Sequence, residues 1–233
     1  MDKAKKVLFK LLIAVVFPAI LTCPAWALFY DFENDNQAND WQVLDGAGTI
    51  EDGRYILNNT DSSSGIAAIG DMSWTDCTIK CKATLLQGSQ DNMGFVWRLA
   101  ANNLFYVISV RMDQRIGYCG CINGAWMNGG SPINPVPFST EVETEYELEL
   151  IVKGNHAQFF VDGEDMGEWE DDQLETGMIG IRVWSAIMAV DDLDVNGPGI
   201  PSTAVDSQGK LAAAWGRIKF EKGSKLLPTD RRK

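Results

Sequence analysis

The chain has 233 residues, with 32 Asp and Glu against 20 Lys and Arg, so its formal net charge at pH 7 is −12. Residues 28–208 hold 29 acidic and 8 basic side chains, whereas residues 209–233 hold 8 basic and 2 acidic ones. An acidic body of this kind repels phosphate backbones, which argues against nucleic acid as a partner.

Residues 1–27 are typical of a secretory signal peptide. They combine a lysine-rich start, an apolar run over roughly residues 11–21 and the ending Ala25-Trp26-Ala27. The apolar run is short for a bilayer span of about 20 residues. A lipoprotein signal at Cys23 is the alternative, but it needs a small residue where Thr22 stands. The sequence therefore predicts an extracellular or periplasmic protein with no transmembrane segment in the mature chain.

The mature chain reads as a series of short strands separated by Gly, Asn, Asp and Pro. Alternating or apolar segments occupy residues 53–57, 76–86, 93–100, 103–112, 146–154, 156–163, 178–184 and 187–195. Asp162-Gly163 is a hairpin signal because a tight primed turn needs positive φ. No convincing amphipathic helix precedes residue 208. About 180 residues of this pattern predict one all-β antiparallel sandwich.

Composition changes after the last strand. Residues 197–209 are rich in Gly, Pro and Ser and are predicted to be a linker. Residues 210–233 form a basic tail, in which Leu211, Trp215 and Ile218 could make one short helical stripe. We expect this tail to associate weakly with the acidic domain or to attach the protein to a surface outside the cell.

Four cysteines lie in the predicted domain, in two segments. Cys77 and Cys81 are about 13 Å apart on one strand, too far to bond each other. They can pair with Cys119 and Cys121, stay free or bind a metal, although the spacing is poor for zinc. In an oxidising compartment an even number of cysteines favours at least one disulfide between the two segments.

The order of several segments resembles a known family. "DFENDNQANDW", "EDGRYIL", "GDMSWTDCTIKCKA", "GFVWRLAANNLFYVISV", "VETEYELELIVKGNHAQFFVDGE", "TGMIGIRVW" and "AVDDLDV" resemble concanavalin A-like, laminin-G-like jelly-roll modules of secreted bacterial proteins. The resemblance covers roughly residues 29–196, so we assign residues 28–196 to one jelly-roll domain. It implies two stacked antiparallel sheets, with glycans bound on the concave sheet or its rim loops. The family also includes catalytic branches.

Two acidic stretches are candidates for glycoside hydrolysis, which uses paired carboxylates. Glu145, Glu147 and Glu149 match the two-residue spacing of the Glu-x-Asp-x-(x)-Glu signature of laminarinase-like relatives, but the middle residue is Glu rather than Asp. Together with Glu141 and Glu143 they more simply form the solvated face of a strand. The second stretch, "GEDMGEWEDD", has irregular spacing and is predicted to be a solvated loop.

Aromatic and guanidinium side chains instead indicate binding, because sugar rings stack on indoles while arginines donate to hydroxyl groups. Apolar residues alternate with polar or aromatic ones in "GFVWRLA" and "GIRVW", which places Arg98, Arg182 and Trp184 on the outer face. Arg111 ends a strand and Trp126 lies in a loop. The predicted ligand-binding residues are therefore Arg98, Arg111, Trp126, Arg182 and Trp184.

A structural calcium ion is a further expectation. In related modules the first and last strands are neighbours, and a structural Ca²⁺ often lies near their junction. Asp31, Glu33 and Asp192 would supply the oxygen ligands that calcium prefers. The alternative is that these residues are ordinary acids at strand ends.

These observations favour a secreted, non-catalytic module that binds a glycan or a glycosylated surface. A glycoside hydrolase of the same fold, resembling the laminarinase or keto-disaccharide hydrolase branches, is the second hypothesis. A structural or adhesive domain is the third.

Overall fold

The computed structural model describes residues 27–88, 93–111 and 113–202. Its strands are β1 (Ala27–Tyr30), β2 (Gln42–Asp45), β3 (Ala47–Glu51), β4 (Arg54–Ile69), β5 (Cys77–Gly88), β6 (Met93–Ala101), β7 (Leu104–Arg111), β8 (Arg115–Ile122), β9 (Ala125–Trp126), β10 (Ile133–Pro137), β11 (Glu145–Lys153), β12 (His156–Val161), β13 (Glu164–Glu170) and β14 (Met178–Asn196). Two short 3-10 turns, Asp35–Asp40 and Met127–Gly130, are the helical elements of the described residues. None of the described helices is long and apolar enough to span a membrane. The all-β prediction is confirmed.

The strands form two antiparallel layers that share β14. The first layer has the order β10-β8-β7-β6-β14, and the second continues as β14-β5-β11-β12-β13. Aromatic rings join the layers across the core: Phe95 on β6 meets Phe159 on β12 at 6.2 Å between centroids, and Tyr118 on β8 meets Trp169 on β13 at 6.0 Å. The architecture is the predicted two-sheet jelly-roll sandwich.

The strand β14 passes through both layers, whereas the sequence predicted two separate strands there. Residues 178–183 pair with β6, and residues 186–196 pair with β5, while β4 runs along much of both halves. Ser185 lies between the two halves with φ of 50°, and the register against β4 shifts at this point. A left-handed residue at the bend lets one continuous strand change layers.

Alternation along β11 and β12 shows how the core is filled. Tyr146, Leu148 and Leu150 are buried, whereas the intervening glutamates face outward. Their partners across the strand pair, Phe159 and Val161, are also buried. Burying a side chain of this size contributes about 1.5–3 kcal/mol, which fixes the register of the hairpin.

The hairpin turn predicted after β12 is confirmed. Asp162 and Gly163 have φ values of 51° and 78°, the pair of positive values that a type I′ turn requires. The next segment was predicted to be a solvated loop, and this is wrong. It forms the strand β13, in which Met166 and Trp169 are buried against the core.

The packed domain extends past the predicted boundary at residue 196. Ile200 is fully buried in the main core, and its amide donates to the carbonyl of Gly197 in a turn. The first part of the predicted linker 197–209 therefore belongs to the domain. The predicted signal peptide 1–27, except for Ala27 in β1, and the predicted basic tail 210–233 lie outside the described residues.

The predicted disulfide between the two cysteine segments is contradicted. All four cysteines are free and buried. Cys77 and Cys81 belong to the core between the layers, whereas Cys119 and Cys121 belong to a smaller cluster with Val96, Leu99 and Phe105. On β8, Ile116 and Tyr118 point into the main core, so Cys119 and Cys121 point to the opposite face of that layer. A bridge would have to cross the sheet.

Candidate functional site

A cleft of about 280 Å³ opens on the face of the first layer that points away from the main core. The smaller cluster of buried residues, which includes Val107 and Cys119, forms its base. The cleft is lined by Val107, Ser109, Arg111, Gly117, Cys119, Trp126, Gly129, Gly130, Pro132, Arg182 and Trp184. Four of the five predicted ligand-binding residues are in this set, namely Arg111, Trp126, Arg182 and Trp184.

Arg182 is the centre of the cleft. Its guanidinium carbon lies 5.3 Å from the ring centroid of Trp126 and 5.2 Å from that of Trp184. The two indoles are 6.4 Å apart and inclined at 78° to each other. Arg182 donates to the Ser64 hydroxyl from Nε at 2.9 Å and from Nη2 at 2.6 Å. Cation–π attraction and these hydrogen bonds hold a buried cation between two half-exposed rings.

The alternation of β14 explains this placement. Ile181 and Val183 are buried in the main core, so Arg182 and Trp184 emerge together on the opposite face. The prediction that these two side chains share that face is confirmed. Arg182 is nevertheless 4% exposed, because the indoles and Ser64 cover it.

Trp126 reaches the cleft through an unusual loop. The chain turns after β8 at Asn123 and Gly124, and β9 then pairs back on β8 so that Trp126 lies opposite Cys121. Asn128, Gly129 and Gly130 follow with φ between 48° and 83°. Three successive left-handed residues fold the chain sharply beside the tryptophan, which glycine permits at low steric cost.

Glycines on β8 let the segment after Trp126 lie directly on the sheet. A Cβ atom at Gly117 would stand 2.1 Å from Cβ of Pro132, and one at Gly120 would stand 2.6 Å from the Met127 sulfur. The edge of Trp126 also packs on Phe105, at 5.7 Å between centroids and an angle of 83°. Gly117 therefore lets Pro132 form the wall of the cleft, whereas Gly120 points to the main core, as Tyr118 does, and admits the Met127 side chain there.

Arg111 lies at the rim of the cleft in a charged group with Asp113 and Arg115. Its Nε lies 3.1 Å from Oδ2 and 3.2 Å from Oδ1 of Asp113, and Arg115 binds the same carboxylate. Burial would raise the pKa of Asp113, but the hydrogen bonds from Arg115 and Arg111 outweigh it and hold the pKa below its usual value. The carboxylate stays ionised and fixes the orientation of both arginines.

Arg98 is the predicted ligand residue that the structure does not bring to the cleft. It is 5% exposed, and its guanidinium donates to the backbone carbonyls of Leu174 and Gly154. Its φ of 51° marks a bulge, and the register between β6 and β7 shifts between Trp97 and Ala101. The expectation that Arg98 lies on the exposed outer face is wrong, because the bulge inverts the alternation at this point.

The predicted calcium ligands do not gather into a site among the described residues. The first and last strands are neighbours as expected, with Tyr30 of β1 opposite Leu193 of β14. The Asp192 carboxylate instead pairs with Lys82 Nζ at 2.9 Å, while Asp31 Oδ1 accepts from Gln37. The described residues contain no group of three acidic, histidine or cysteine side chains placed to hold a metal ion.

Calcium at this junction, with Asp31, Glu33 and Asp192 as ligands, therefore stays a prediction of the sequence. It would require Asp192 to leave Lys82. A rise in melting temperature on adding calcium, abolished by Asp192→Asn, is the measurement that would support it.

The glutamate row is a solvated face. Glu145 and Glu147 are exposed on β11, and Lys80 of the neighbouring strand pairs with Glu147 at 2.7 Å and approaches Glu149 at 3.8 Å. Glu141 and Glu143 precede the strand. The row lies on the second layer, away from the cleft, and its carboxylates are spread along the sheet surface.

Sequence reasoning missed several cleft residues. Ser64 accepts from Arg182, Ser109 lines the cleft, and Gly117 lets Pro132 form its wall. Each of these residues is small and belongs to no motif that could be recognised in the sequence. Strand β8 was also missed. Its residues Ile116 to Cys121 are all buried, so the segment lacks the alternation of a half-exposed strand. The paired glycines "GYCGC" were the available signal for a close backbone approach.

The fold is that of the concanavalin A-like jelly rolls, the class of protein that the sequence resembles. It is similar to the carbohydrate-binding module CBM66 from Bacillus subtilis, with a TM-score of 0.60 and 16% identity over 68% of this chain and 96% of that chain. It is also similar to a Bacillus licheniformis β-glucanase, with a TM-score of 0.55 and 11% identity over 75% of this chain and 99% of that chain.

Comparison of amino-acid sequences finds distant similarity. No family model matches the chain. It is 22% identical over 213 residues to an extracellular exo-α-L-arabinofuranosidase of Streptomyces chartreusis, in an alignment that covers 81% of this chain. The chain spans 22% of the length of that relative.

Proposed function

We propose that the protein is an exported carbohydrate-binding module whose ligand site is the cleft around Arg182. The observation that carries this proposal is the guanidinium of Arg182 held between the indoles of Trp126 and Trp184. Similarity in fold to a carbohydrate-binding module and to a β-glucanase supports it, as does the distant sequence similarity to an arabinofuranosidase.

The lining of the cleft has the chemistry that a sugar needs. Half-exposed indole rings offer apolar faces to the C–H groups of a pyranose or furanose, and Ser109 and the arginines supply polar partners for hydroxyl groups. A volume of about 280 Å³ lies just below the range of about 300–1,000 Å³ that is typical of ligand pockets. The cleft therefore suits one or two sugar rings rather than a long chain.

The positions of the acidic residues favour binding over hydrolysis. Glycoside hydrolysis needs two carboxyl groups about 5–10 Å apart around the scissile bond. The described residues that line the cleft include no carboxylate, and the glutamate row lies on the other layer. Asp113, which contacts Arg111 at the rim, is paired with two arginines.

The experiment is a glycan-array screen of the mature protein, followed by calorimetric titration of the glycans that bind. Trp126→Ala and Trp184→Ala should each weaken binding about tenfold, because each removes a stacking surface. Met72→Ala, at an exposed apolar residue outside the cleft, is the matched control and should bind normally. Circular dichroism establishes that each variant is folded.

Three results would contradict the proposal. Normal binding by both tryptophan variants would place the glycan elsewhere on the domain. Release of reducing sugar from a glycan that binds would favour the hydrolase hypothesis. A screen in which no glycan binds would favour the hypothesis of a structural or adhesive domain.

A further inference from the structure

A groove of about 420 Å³ opens beside β4, at the bend where β14 passes from one layer to the other. Five of its lining residues carry a carboxylate, an amide or a hydroxyl group, namely Asp45, Asn58, Asn59, Thr60 and Asp61, and the other two are small. None of them lines the cleft around Arg182. The groove therefore offers hydrogen-bonding groups, whereas the cleft offers indole rings.

An irregularity of β4 forms this groove. Ser64 lies opposite Trp184 of β14, and Asn59 lies opposite Ala186. Residues 60–63 of β4 therefore stand against a single residue of β14 and must bulge out of the strand. The bulge carries two of the polar lining residues, so the strand pairing itself produces the groove.

Both walls of the groove are held in place. Asn59 is buried, and its Nδ2 donates to the Ser63 hydroxyl at 3.2 Å while its Oδ1 accepts from the Asp61 amide at 3.1 Å. On the other wall, Gly46 has φ of 86°, and a Cβ atom there would stand 2.7 Å from the Asn58 carbonyl oxygen. Glycine thus lets the connection between β2 and β3 lie directly against β4.

The groove begins where the cleft ends. Ser185 directly follows Trp184, and its hydroxyl donates to the Asp61 carbonyl at 2.8 Å. Asp45 of β2 lies opposite Ile66 of β4, which belongs to the smaller cluster at the base of the cleft. Since residues directly opposite each other on neighbouring strands share a face, Asp45 lies on the cleft side of the first layer.

We propose that the cleft and the groove form one binding site for an oligosaccharide of three or more rings, in which one or two rings occupy the cleft and the next rings lie in the groove. The inference rests on the proposed function, because it names the ligand class of the same site. Trp126 and Trp184 would contact the first rings, and Asn58, Thr60 and Asp61 would bind hydroxyl groups of the following ones.

The chemistry of the groove suits this role. Asn58, Thr60 and Asp61 are exposed, and together they supply amide and hydroxyl donors as well as carbonyl and carboxylate acceptors. The hydroxyl groups of a sugar ring both donate and accept, so they can use each of these groups. Each contact replaces a hydrogen bond to water, so it should raise the affinity only about two- to tenfold.

The test is calorimetric titration of the mature protein with fragments of increasing length. Fragments of one to about six rings are prepared from a β-1,4-xylan, an α-1,5-arabinan and a β-1,3-glucan, and from any further glycan that the array retains. EDTA is present, so that a bridging metal ion does not contribute. In at least one series the affinity should rise about tenfold between two and four rings, with a favourable enthalpy for the added rings.

Variants locate the effect. Asp61→Ala should lower the affinity for the four-ring fragment about fivefold and leave that for the two-ring fragment unchanged, since the backbone contacts that brace the bulge are kept. Asn58→Ala should act in the same way, whereas Trp184→Ala should weaken both fragments. Glu145→Ala removes an exposed carboxylate from the second layer and should change neither affinity. Thermal unfolding establishes that each variant retains the fold.

The possible failures can be told apart. If short and long fragments bind equally tightly while Trp126→Ala abolishes binding, the groove is refuted as part of the site and glycan binding at the cleft stands. If the affinity rises with length but both groove variants keep the rise, the added rings lie elsewhere and the assignment of the groove is refuted. If neither these fragments nor any arrayed glycan binds, the proposed function fails together with the inference.

Discussion

Replacing Arg98 with methionine tests whether this residue is a structural anchor rather than a ligand contact. The guanidinium donates to the carbonyls of Leu174 and Gly154 and so ties the segment after β13 and the β11–β12 turn to β6. Methionine keeps much of the length of the side chain but cannot donate to either carbonyl.

The expected cost follows from those two bonds. A hydrogen bond from a charged donor contributes about 1.5–3 kcal/mol, so losing both costs about 3–6 kcal/mol. The buried methionine recovers part of this through apolar burial, and the unpaired Nε of Arg98 disappears as well. We expect a net loss of about 3 kcal/mol in the free energy of unfolding, or a fall in melting temperature of about 6–12 °C.

Urea denaturation and differential scanning calorimetry measure the effect, with Arg54→Met at a half-exposed arginine as the control. Glycan affinity of the folded fraction should remain that of the unaltered protein. A loss of stability below about 1 kcal/mol would refute the anchoring role. A fall in glycan affinity without a fall in stability would show that Arg98 contributes to ligand binding.

Four further outcomes are expected. Glu147→Gln combined with Glu149→Gln should change stability by less than about 1 kcal/mol in urea denaturation, because exposed ion pairs contribute little; a larger loss would show that the row is structural. Peptide mapping without reduction should find four free thiols, and a disulfide-linked peptide would contradict the buried, separated cysteines. Burial raises the pKa of Asp171, but hydrogen bonds, chiefly from a tyrosine hydroxyl, outweigh it and hold this pKa below its usual value of 3.8. The ionised carboxylate therefore contributes to the free energy of unfolding above about pH 4, and this contribution is lost as the pH falls further. Asp171→Asn should therefore flatten the acid limb of the stability profile measured by urea denaturation, and an unchanged limb would refute this coupling. Gly117→Ala should weaken glycan binding, since its new methyl group would overlap the proline in the cleft wall, whereas Gly163→Ala at a distant turn should lower stability and leave calorimetric affinity unchanged.

The sequence was informative where one face of a strand is exposed. In β11 the glutamates alternate with Tyr146, Leu148 and Leu150, so the strand, its inward face and its hairpin could all be predicted. The same reasoning placed Arg182 and Trp184 together on β14. Period-two alternation carries this information because a shift by one residue would bury the polar set.

The sequence was uninformative where both faces are covered or where the backbone departs from regular geometry. Strand β8 is buried on both faces and therefore shows no alternation. At Arg98 a left-handed residue inverts the pattern, and nothing in "FVWRLA" distinguishes a bulge from a regular strand. The disulfide prediction failed for a related reason. Counting cysteines cannot show that Cys81 faces the main core while Cys119, on the other layer, faces away from it.

The origin of each cleft residue also bears on how ligand choice is determined. Arg111, Arg182 and Trp184 project from long strands of the sandwich, and the Arg182 side chain is held by Ser64 on β4. These positions are fixed by the core, so they can recognise a ligand with little reorganisation. Trp126 instead belongs to a two-residue strand that is followed by left-handed glycines. Changes of length or sequence in this loop would alter the shape of the cleft without disturbing the sheet, and we expect differences in glycan preference among jelly rolls of this construction to arise there.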